Sequence, residues 1–333
     1  MRLALDLARK GLGRTSPNPC VGAILVKSGK ILGQGWHKKA GGPHAEIAAI
    51  RQARRRGHRL RGATLYVTLE PCCTHGRTPP CTEAILREGL ARVVVGCSDP
   101  NPKHSGRAFK ILRRAGVNVT HGVLKNEATR LNRSFNHWIR TGQPWVLAKA
   151  ALTLDGFLAL PPGQGRWITG PAARRDVHLL RSHSDAILIG AGTARIDNPR
   201  LTVRGIKNAR QPLRVIVTRS GKLPRSLHLL RDARRHETVV FKKQTWPRIL
   251  SELGRRGVTQ LLVEGGAQVF RDLARKKLIH EVALYYAPKI LPEGQPDREF
   301  LPRAAFLTAL RLQKPRLEYC GLDLKLTGWV KQD

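Results

Sequence analysis

A chain of 333 residues with 41% apolar side chains is long enough for two domains and can bury a core in each. Lys and Arg number 60 against 23 Asp and Glu, a net charge of +37, yet aromatic residues make up only 5%; the field attracts polyanions, but the basic runs lack the aromatic side chains on which single strands stack. No apolar run reaches the roughly 18 residues of a membrane span, and six cysteines are too few for a disulfide framework.

These numbers predict a cytoplasmic protein in a reducing setting, with no membrane partner. The densest basic runs, RQARRRGHRLR (51–61) and RDARRH (231–236), read as solvated surface. A nucleic-acid partner is not expected, and a small phosphorylated ligand suits the charge.

The opening MRLALDLARKGLGR has Asp6 inside its apolar stretch, so it reads as an amphipathic helix and not as a signal peptide. VGAILVKSGKILGQGWH predicts two strands about a Ser-Gly turn. HAEIAAIRQARR predicts a helix with Pro43 just ahead of it. GATLYVTLEP is a strand ending at Pro71, TEAILREGL a short helix closed by Gly89, ARVVVGCSDP a buried strand and GRAFKILRRAG a helix. This alternation predicts βαβ units around a mainly parallel sheet. NEATRLNRSFNHWIRTGQPWV is expected as one helix that breaks at TGQP, which puts the domain boundary there: 1–142 and 143–333. The second half restarts with the strand WVLAKAALTLDG, a Gly/Pro-rich loop LPPGQGRW and a helix PAARRDVHLLRSH with Pro171 in its first turn. DAILIG, PLRVIVT, TVVF, QLLVEGG and HEVALYYAP are further strands, so both halves are α/β.

Chemistry concentrates in TLEPCCTHGRTPPC (68–81) and GGPHAEIAAI (41–50). His-x-Glu at a helix start, then a strand, Pro-Cys and a second Cys opening a helix, is the ligand order of zinc-dependent deaminases. One neutral imidazole (His44) and two thiolates (Cys72, Cys81) hold zinc and leave a fourth position for water. Glu46, two residues from His44, suits the proton shuttle that such hydrolysis needs. The competing reading is a closed structural site of Cys72, Cys73, Cys81 and His75, which leaves His44 and Glu46 unused. Cys20, Cys97 and Cys320 read as small buried residues.

Eight residues separate Cys72 from Cys81, whereas nucleoside and tRNA deaminases have two. That insert, with TSPNPCVG (15–22), AGGPHAE (40–46), KAALTLDG, RWITG, GAGTARIDNPRLTVR and VEGG, resembles the bifunctional deaminase–reductases of riboflavin biosynthesis over nearly the whole chain. The resemblance implies a cytidine-deaminase-like three-layer α/β domain followed by a dihydrofolate-reductase-like one. It implies zinc-dependent removal of the 2-amino group of 2,5-diamino-6-ribosylamino-4(3H)-pyrimidinone 5′-phosphate, then NADPH-dependent reduction of ribosyl to ribityl, in a homo-oligomer.

By the same resemblance His44, Cys72 and Cys81 bind zinc, Glu46 moves protons and Asn18 meets the pyrimidine edge, with His75 and Arg77 near the substrate. Ala151, Trp167, Thr193, Asp197, Gly265 and Gly266 surround the cofactor; Arg181, Leu201, Arg204 and Glu264 hold the substrate. GAGT and VEGG each follow an apolar strand, where glycine lets backbone N–H groups approach phosphate. Lys149 and Asp155 are further site candidates on or beside the first strand of this half. The chain departs from the family at Gly165, usually Ser, at Ala48, often Asn or His, and at LPEGQPD (291–297). A tRNA-editing deaminase and a catalytically dead basic binding protein are the rival readings. The long insert and the second half oppose the first, and the intact His44, Glu46, Cys72 and Cys81 oppose the second.

Overall fold

The computed structural model describes residues 1–75, 79–101, 104–165, 167–293 and 310–331. The chain divides into two compact units, Met1–Gly142 and Gln143–Asp333. Among the described residues no helix is long and apolar enough to cross a membrane.

The first unit contains a five-stranded sheet of order β2-β1-β3-β4-β5: β1 (Gly22–Lys27), β2 (Lys30–Trp36), β3 (Thr64–Leu69), β4 (Arg92–Cys97) and β5 (Asn118–His121). β1 runs antiparallel to both β2 and β3, and only β3-β4-β5 are parallel. The sheet is therefore mixed where the βαβ pattern predicts a mainly parallel one. The short turn between β1 and β2 can only build a hairpin, and β1 then meets β3 antiparallel.

Helices α1 (Arg2–Arg9), α2 (Ala45–Arg55), α3 (Cys81–Arg87) and α4 (Arg107–Arg114) surround it. The position of α2 follows from glycine. Gly33 and Gly35 point the same way from β2, and α2 answers with Ala45, Ala49 and Ala53, one residue per turn. A Cβ on Gly33 would come within 2.4 Å of the Ala49 carbonyl oxygen, and one on Gly35 within 2.5 Å of the Ala49 nitrogen. Only glycine permits this approach. The segment expected as one helix is two, α5 (Lys125–Leu131) and α6 (Arg133–Thr141). The break is at buried Asn132, whose side chain pairs with both backbone groups of Cys20, accepting from its N–H at 2.7 Å and donating to its carbonyl at 2.9 Å.

The second unit is built on an eight-stranded sheet of order β12-β13-β11-β6-β10-β7-β8-β9. Its strands are β6 (Trp145–Thr153), β7 (Ala186–Gly190), β8 (Leu213–Thr218), β9 (Thr238–Lys242), β10 (Gln260–Gly265), β11 (Glu281–Ala287), β12 (Leu312–Cys320) and β13 (Asp323–Val330). The six from β11 to β9 are parallel, and the β12–β13 hairpin adds antiparallel. Successive residues of β6 serve opposite faces. Val146, Ala148, Ala150 and Leu152 pack with Ile249, Leu250 and Leu253 of α10 (Trp246–Arg255) and Phe270 of α11 (Ala267–Arg275). Leu147 on the other face packs with Ala173 of α7 (Pro171–His183) and Ala194 of α8 (Ala191–Asp197); the short α9 (His228–Arg231) completes the set.

β5, the helices α8 to α11 and the β12–β13 hairpin lie outside the elements read from the sequence. β12 shows why: seven consecutive residues are exposed, so no alternation marks it as a strand.

Gly35→Ala is expected to destabilise the first unit by about 1–3 kcal/mol, because the added methyl meets helix backbone that cannot turn aside. Thermal unfolding measures the loss; an unchanged melting temperature would show that α2 does not need this close approach.

Candidate active sites

In the first unit His44 is the residue just before α2, Cys72 follows β3, and Cys81 opens α3. The His44 Nδ1 lies 3.3 Å from the Cys81 Sγ and 3.4 Å from the Cys72 Sγ. These three donor atoms lie within 4.8 Å of one another, and they are the only such group among the described residues. One imidazole and two sulfurs are the donor set zinc takes, with bonds of about 2.0–2.3 Å, so these residues fit the ion.

The start of α3 supports Cys72 directly: the Cys81 N–H donates to its Sγ at 3.2 Å and the Thr82 N–H to its carbonyl at 3.2 Å. Hydrogen bonding from the Cys81 side chain, then from His44 and the Cys81 N–H, outweighs burial and holds the Cys72 thiol down to about 4. Cys81, buried against that sulfur, is pushed well up: the first proton leaves the pair easily and the second does not. Glu46 stands in the first turn of α2, 3% exposed. Burial, then the negative Cys72 sulfur, raises its carboxyl to about 7, the range in which a carboxyl both takes and returns protons near neutrality.

The other cysteines are elsewhere. Cys73 faces His104 at 3.7 Å, and His75 is exposed and paired with Glu83. The closed four-ligand cluster is not formed. Arg77 lies outside the described residues. None of the six cysteines, all among the described residues, forms a disulfide; Cys20 and Cys97 are buried, and Cys320 is only partly so.

Asn18 is oriented by a residue that the sequence did not single out. Buried His37 has its Nδ1 3.0 Å from the Pro43 carbonyl and its Nε2 3.1 Å from the Asn18 Nδ2. Burial keeps this ring neutral. The Nδ1–H therefore donates to Pro43, Nε2 accepts from the Asn18 amide, and the Asn18 oxygen is left to accept. Glu70 is a second such residue. Its carboxylate accepts from the N–H groups of Asp99 at 3.1 Å, Gly106 at 2.9 Å and Ala108 at 3.2 Å, which fixes the loop leading into α4. Neither has a local signal: both work through partners distant in sequence.

In the second unit a cavity of about 1050 Å³ opens at the carboxyl ends of the parallel strands, where ligands bind open α/β sheets. Ala151, Trp167, Thr193, Asp197, Gly265, Gly266, Arg181, Leu201, Arg204 and Glu264 all line it, as does Lys149. Asp155 does not; its carboxylate accepts from the Leu291 N–H at 3.2 Å. Gly265 has a φ of +133°, and a Cβ on Gly266 would reach within 2.8 Å of the Thr193 Oγ1. The VEGG and GAGT turns thus meet where Gly266 faces the Thr193 hydroxyl.

At the polar end, Glu264 receives Arg181 through both oxygens, Nε at 2.5 Å and Nη2 at 2.9 Å, and Lys149 Nζ at 3.6 Å. Burial alone would raise this carboxyl, but Arg181 and then Lys149 hold it down to about 2. The Arg174 guanidinium lies over Trp167, 5.1 Å from the ring centroid.

A family model described as the RibD C-terminal domain matches residues 144–326, and one described as the cytidine and deoxycytidylate deaminase zinc-binding region matches residues 1–97. Riboflavin biosynthesis protein RibD of Aquifex aeolicus is 40% identical, covering 97% of this chain and 96% of its own. That of Escherichia coli is 38% identical, covering 87% of each. Among solved structures, Acinetobacter baumannii RibD aligns with a TM-score of 0.88 at 35% identity, over 99% of this chain and 98% of that one. The Thermotoga maritima diaminohydroxyphosphoribosylaminopyrimidine deaminase/5-amino-6-(5-phosphoribosylamino)uracil reductase gives 0.86 at 37% identity, over 99% and 97%.

Removing Glu264 as Glu264→Leu leaves Arg181 and Lys149 buried without their anion. A loss of about 3–5 kcal/mol in urea unfolding is expected. The folded carboxyl is lowered from 4.5 to about 2, so its contribution is full above the unfolded value and disappears as pH falls through the folded one. A wild-type minus Glu264→Gln stability difference that did not shrink from pH 5 to pH 2 would contradict this ion pair.

Proposed function

The chain belongs to the RibD family of bifunctional riboflavin biosynthesis proteins, and from that premise we propose which substrate it takes and which of its residues carry each reaction. It is a zinc-dependent deaminase joined to an NADPH-dependent reductase. The proposed substrate is 2,5-diamino-6-ribosylamino-4(3H)-pyrimidinone 5′-phosphate, first deaminated at its 2-amino group and then reduced in its ribosyl chain. The convergence of His44, Cys72 and Cys81 beside buried Glu46 carries this reading.

Zinc held by His44, Cys72 and Cys81 supplies Lewis acidity that makes water nucleophilic near neutral pH. Glu46 takes one proton from the attacking water and passes it to the ring nitrogen, then takes the remaining hydroxyl proton of the adduct and passes it to the departing amino group. A C–O bond forms, the C–N bond breaks and ammonia leaves. The Asn18 amide, oriented by His37, presents its oxygen to a donor on the pyrimidine edge.

For the second reaction NADPH supplies the hydride. Ala151, Trp167, Thr193, Asp197 and the Gly265–Gly266 turn hold the cofactor, and Arg181, Leu201, Arg204 and Glu264 the substrate. The phosphate goes to the arginine end, where guanidinium groups offer charge-assisted hydrogen bonds. With Gly165 in place of Ser, that binding has one hydroxyl fewer, so more rests on Arg204. Family membership supports a cytoplasmic homo-oligomer, which sedimentation analysis tests.

Glu46→Gln is expected to keep zinc, read by metal analysis, and to slow ammonia release by about 10²–10⁴-fold; a fast Gln variant would remove the shuttle role. Cys81→Ala should lose the metal, and stoichiometric zinc in that variant would break the ligand set. Arg204→Ala should raise KM for NADPH oxidation about tenfold or more and leave deamination unchanged; an unchanged KM would take the phosphate away from this arginine.

A further inference from the structure

Arg200, Leu201 and Arg204 line the second-unit cavity, and the backbone of 202–204 is gripped along both edges. On one edge Gln211 meets Val203 with both ends of its amide: its Oε1 accepts the Val203 N–H at 2.8 Å and its Nε2 donates to the Val203 carbonyl at 2.9 Å. On the other edge α7 takes the neighbouring peptide groups. Arg181 Nη1 donates to the Thr202 carbonyl at 3.0 Å, and the Arg204 N–H donates to the His178 Nδ1 at 3.2 Å. In extended chain a residue's N–H and C=O point to one edge and those of its neighbours to the other. Side chains here take the place that adjoining strands hold in a sheet. Arg204, at the end of the gripped segment, directs its Nη1 to the Thr202 Oγ1 at 3.2 Å, and both Arg204 and His178 line the cavity.

We infer that His178 and Gln211 are positioning residues for reduction, splinting segment 202–204 from its two edges so that Arg204 is held where it selects a phosphorylated substrate. This rests on the reading above that Arg204 faces the substrate phosphate. His178 must keep Nδ1 unprotonated to accept from Arg204, so the proton of the neutral ring sits on Nε2. Arg174 and Arg181 on α7, Arg200 just ahead of the segment and Arg204 on it, Lys149 on β6 and Glu264 on β10 share its cavity. Burial, Arg181 and Arg204 lower the imidazole, opposed by Glu264 and the Thr202 carbonyl. Protonation at acid pH turns Nδ1 into a donor facing the Arg204 N–H, and the bond that holds Arg204 on that edge is lost, leaving only Arg181 on the Thr202 carbonyl.

The test is steady-state reduction of the deaminated ribosylaminouracil phosphate by the full chain, comparing wild type, R204A, H178L, H178N and Q211L. Ammonia release by the same preparations is the internal control. H178L and Q211L are expected to raise KM about tenfold, with kcat close to wild type, because they misplace a binding group. H178N, whose Oδ1 has the reach of Nδ1, should restore KM. It should also abolish the rise in KM toward acid pH that wild type shows beyond the phosphate's own titration near pH 6.

If R204A raises KM while H178L and Q211L do not, the splint is refuted and the phosphate reading stands. If R204A leaves KM unchanged, that reading falls and the splint with it. Should H178L fail to fold, the pH profile of H178N decides: an acid limb identical to wild type refutes the role of His178.

Discussion

A carboxylate without solvent cannot stay ionised unless positive groups meet it, and Glu264 is held in that condition. Arg181 and Lys149 reach it from α7 and β6 while its own backbone belongs to β10. One buried anion thus fixes a helix against two strands. Arg181 has a donor left over and uses it on the Thr202 carbonyl, which ties the loop after α8 into the same arrangement. The cavity owes its cationic end to this constraint: charges gathered to neutralise Glu264 also line the cavity.

The first unit meets a comparable demand with sulfur. Cys72 sits where the first N–H groups of α3 converge on its sulfur and its carbonyl, which favours a thiolate before any metal arrives. His44 and Glu46 come to the same place because α2 lies almost on the backbone of β2, over two glycines. The separation of roles follows from position on the helix. The residue ahead of α2 turns its ring toward both sulfurs. The residue in its first turn is buried beside them without joining the donor cluster.

A net charge of +37 reads in sequence as surface, yet several arginines are interior struts. Arg214 is wholly buried on β8, bound through two nitrogens to Asp232 and further to the carbonyls of Leu229 and Arg234. Its five donors in a fixed fork can satisfy carbonyl groups that no lysine would reach together. Arg54, by contrast, is exposed on α2 and reaches Glu88 from the solvent side. Sequence alone cannot tell these two uses of arginine apart.

The sequence by itself singled out His44, Glu46, Cys72 and Cys81, since a motif of His-x-Glu, strand, Pro-Cys and Cys-helix encodes ligand order along the chain, and the fold brings the donor atoms of His44, Cys72 and Cys81 within 4.8 Å of one another. It also determined most strands of both sheets, because a buried apolar run such as RVVVGC or AILIG has few other places to go. Tertiary structure alone decided the rest. The split at Asn132 depends on an amide pairing with Cys20, 112 residues away. The orientation of Asn18 depends on His37, the place of the Asp155 carboxylate on Leu291, and the hold on Arg204 on His178. Each of these is a hydrogen bond between groups far apart in sequence. No local propensity or spacing records such a bond; it exists only once the backbone has brought donor and acceptor to within 3 Å or so of each other.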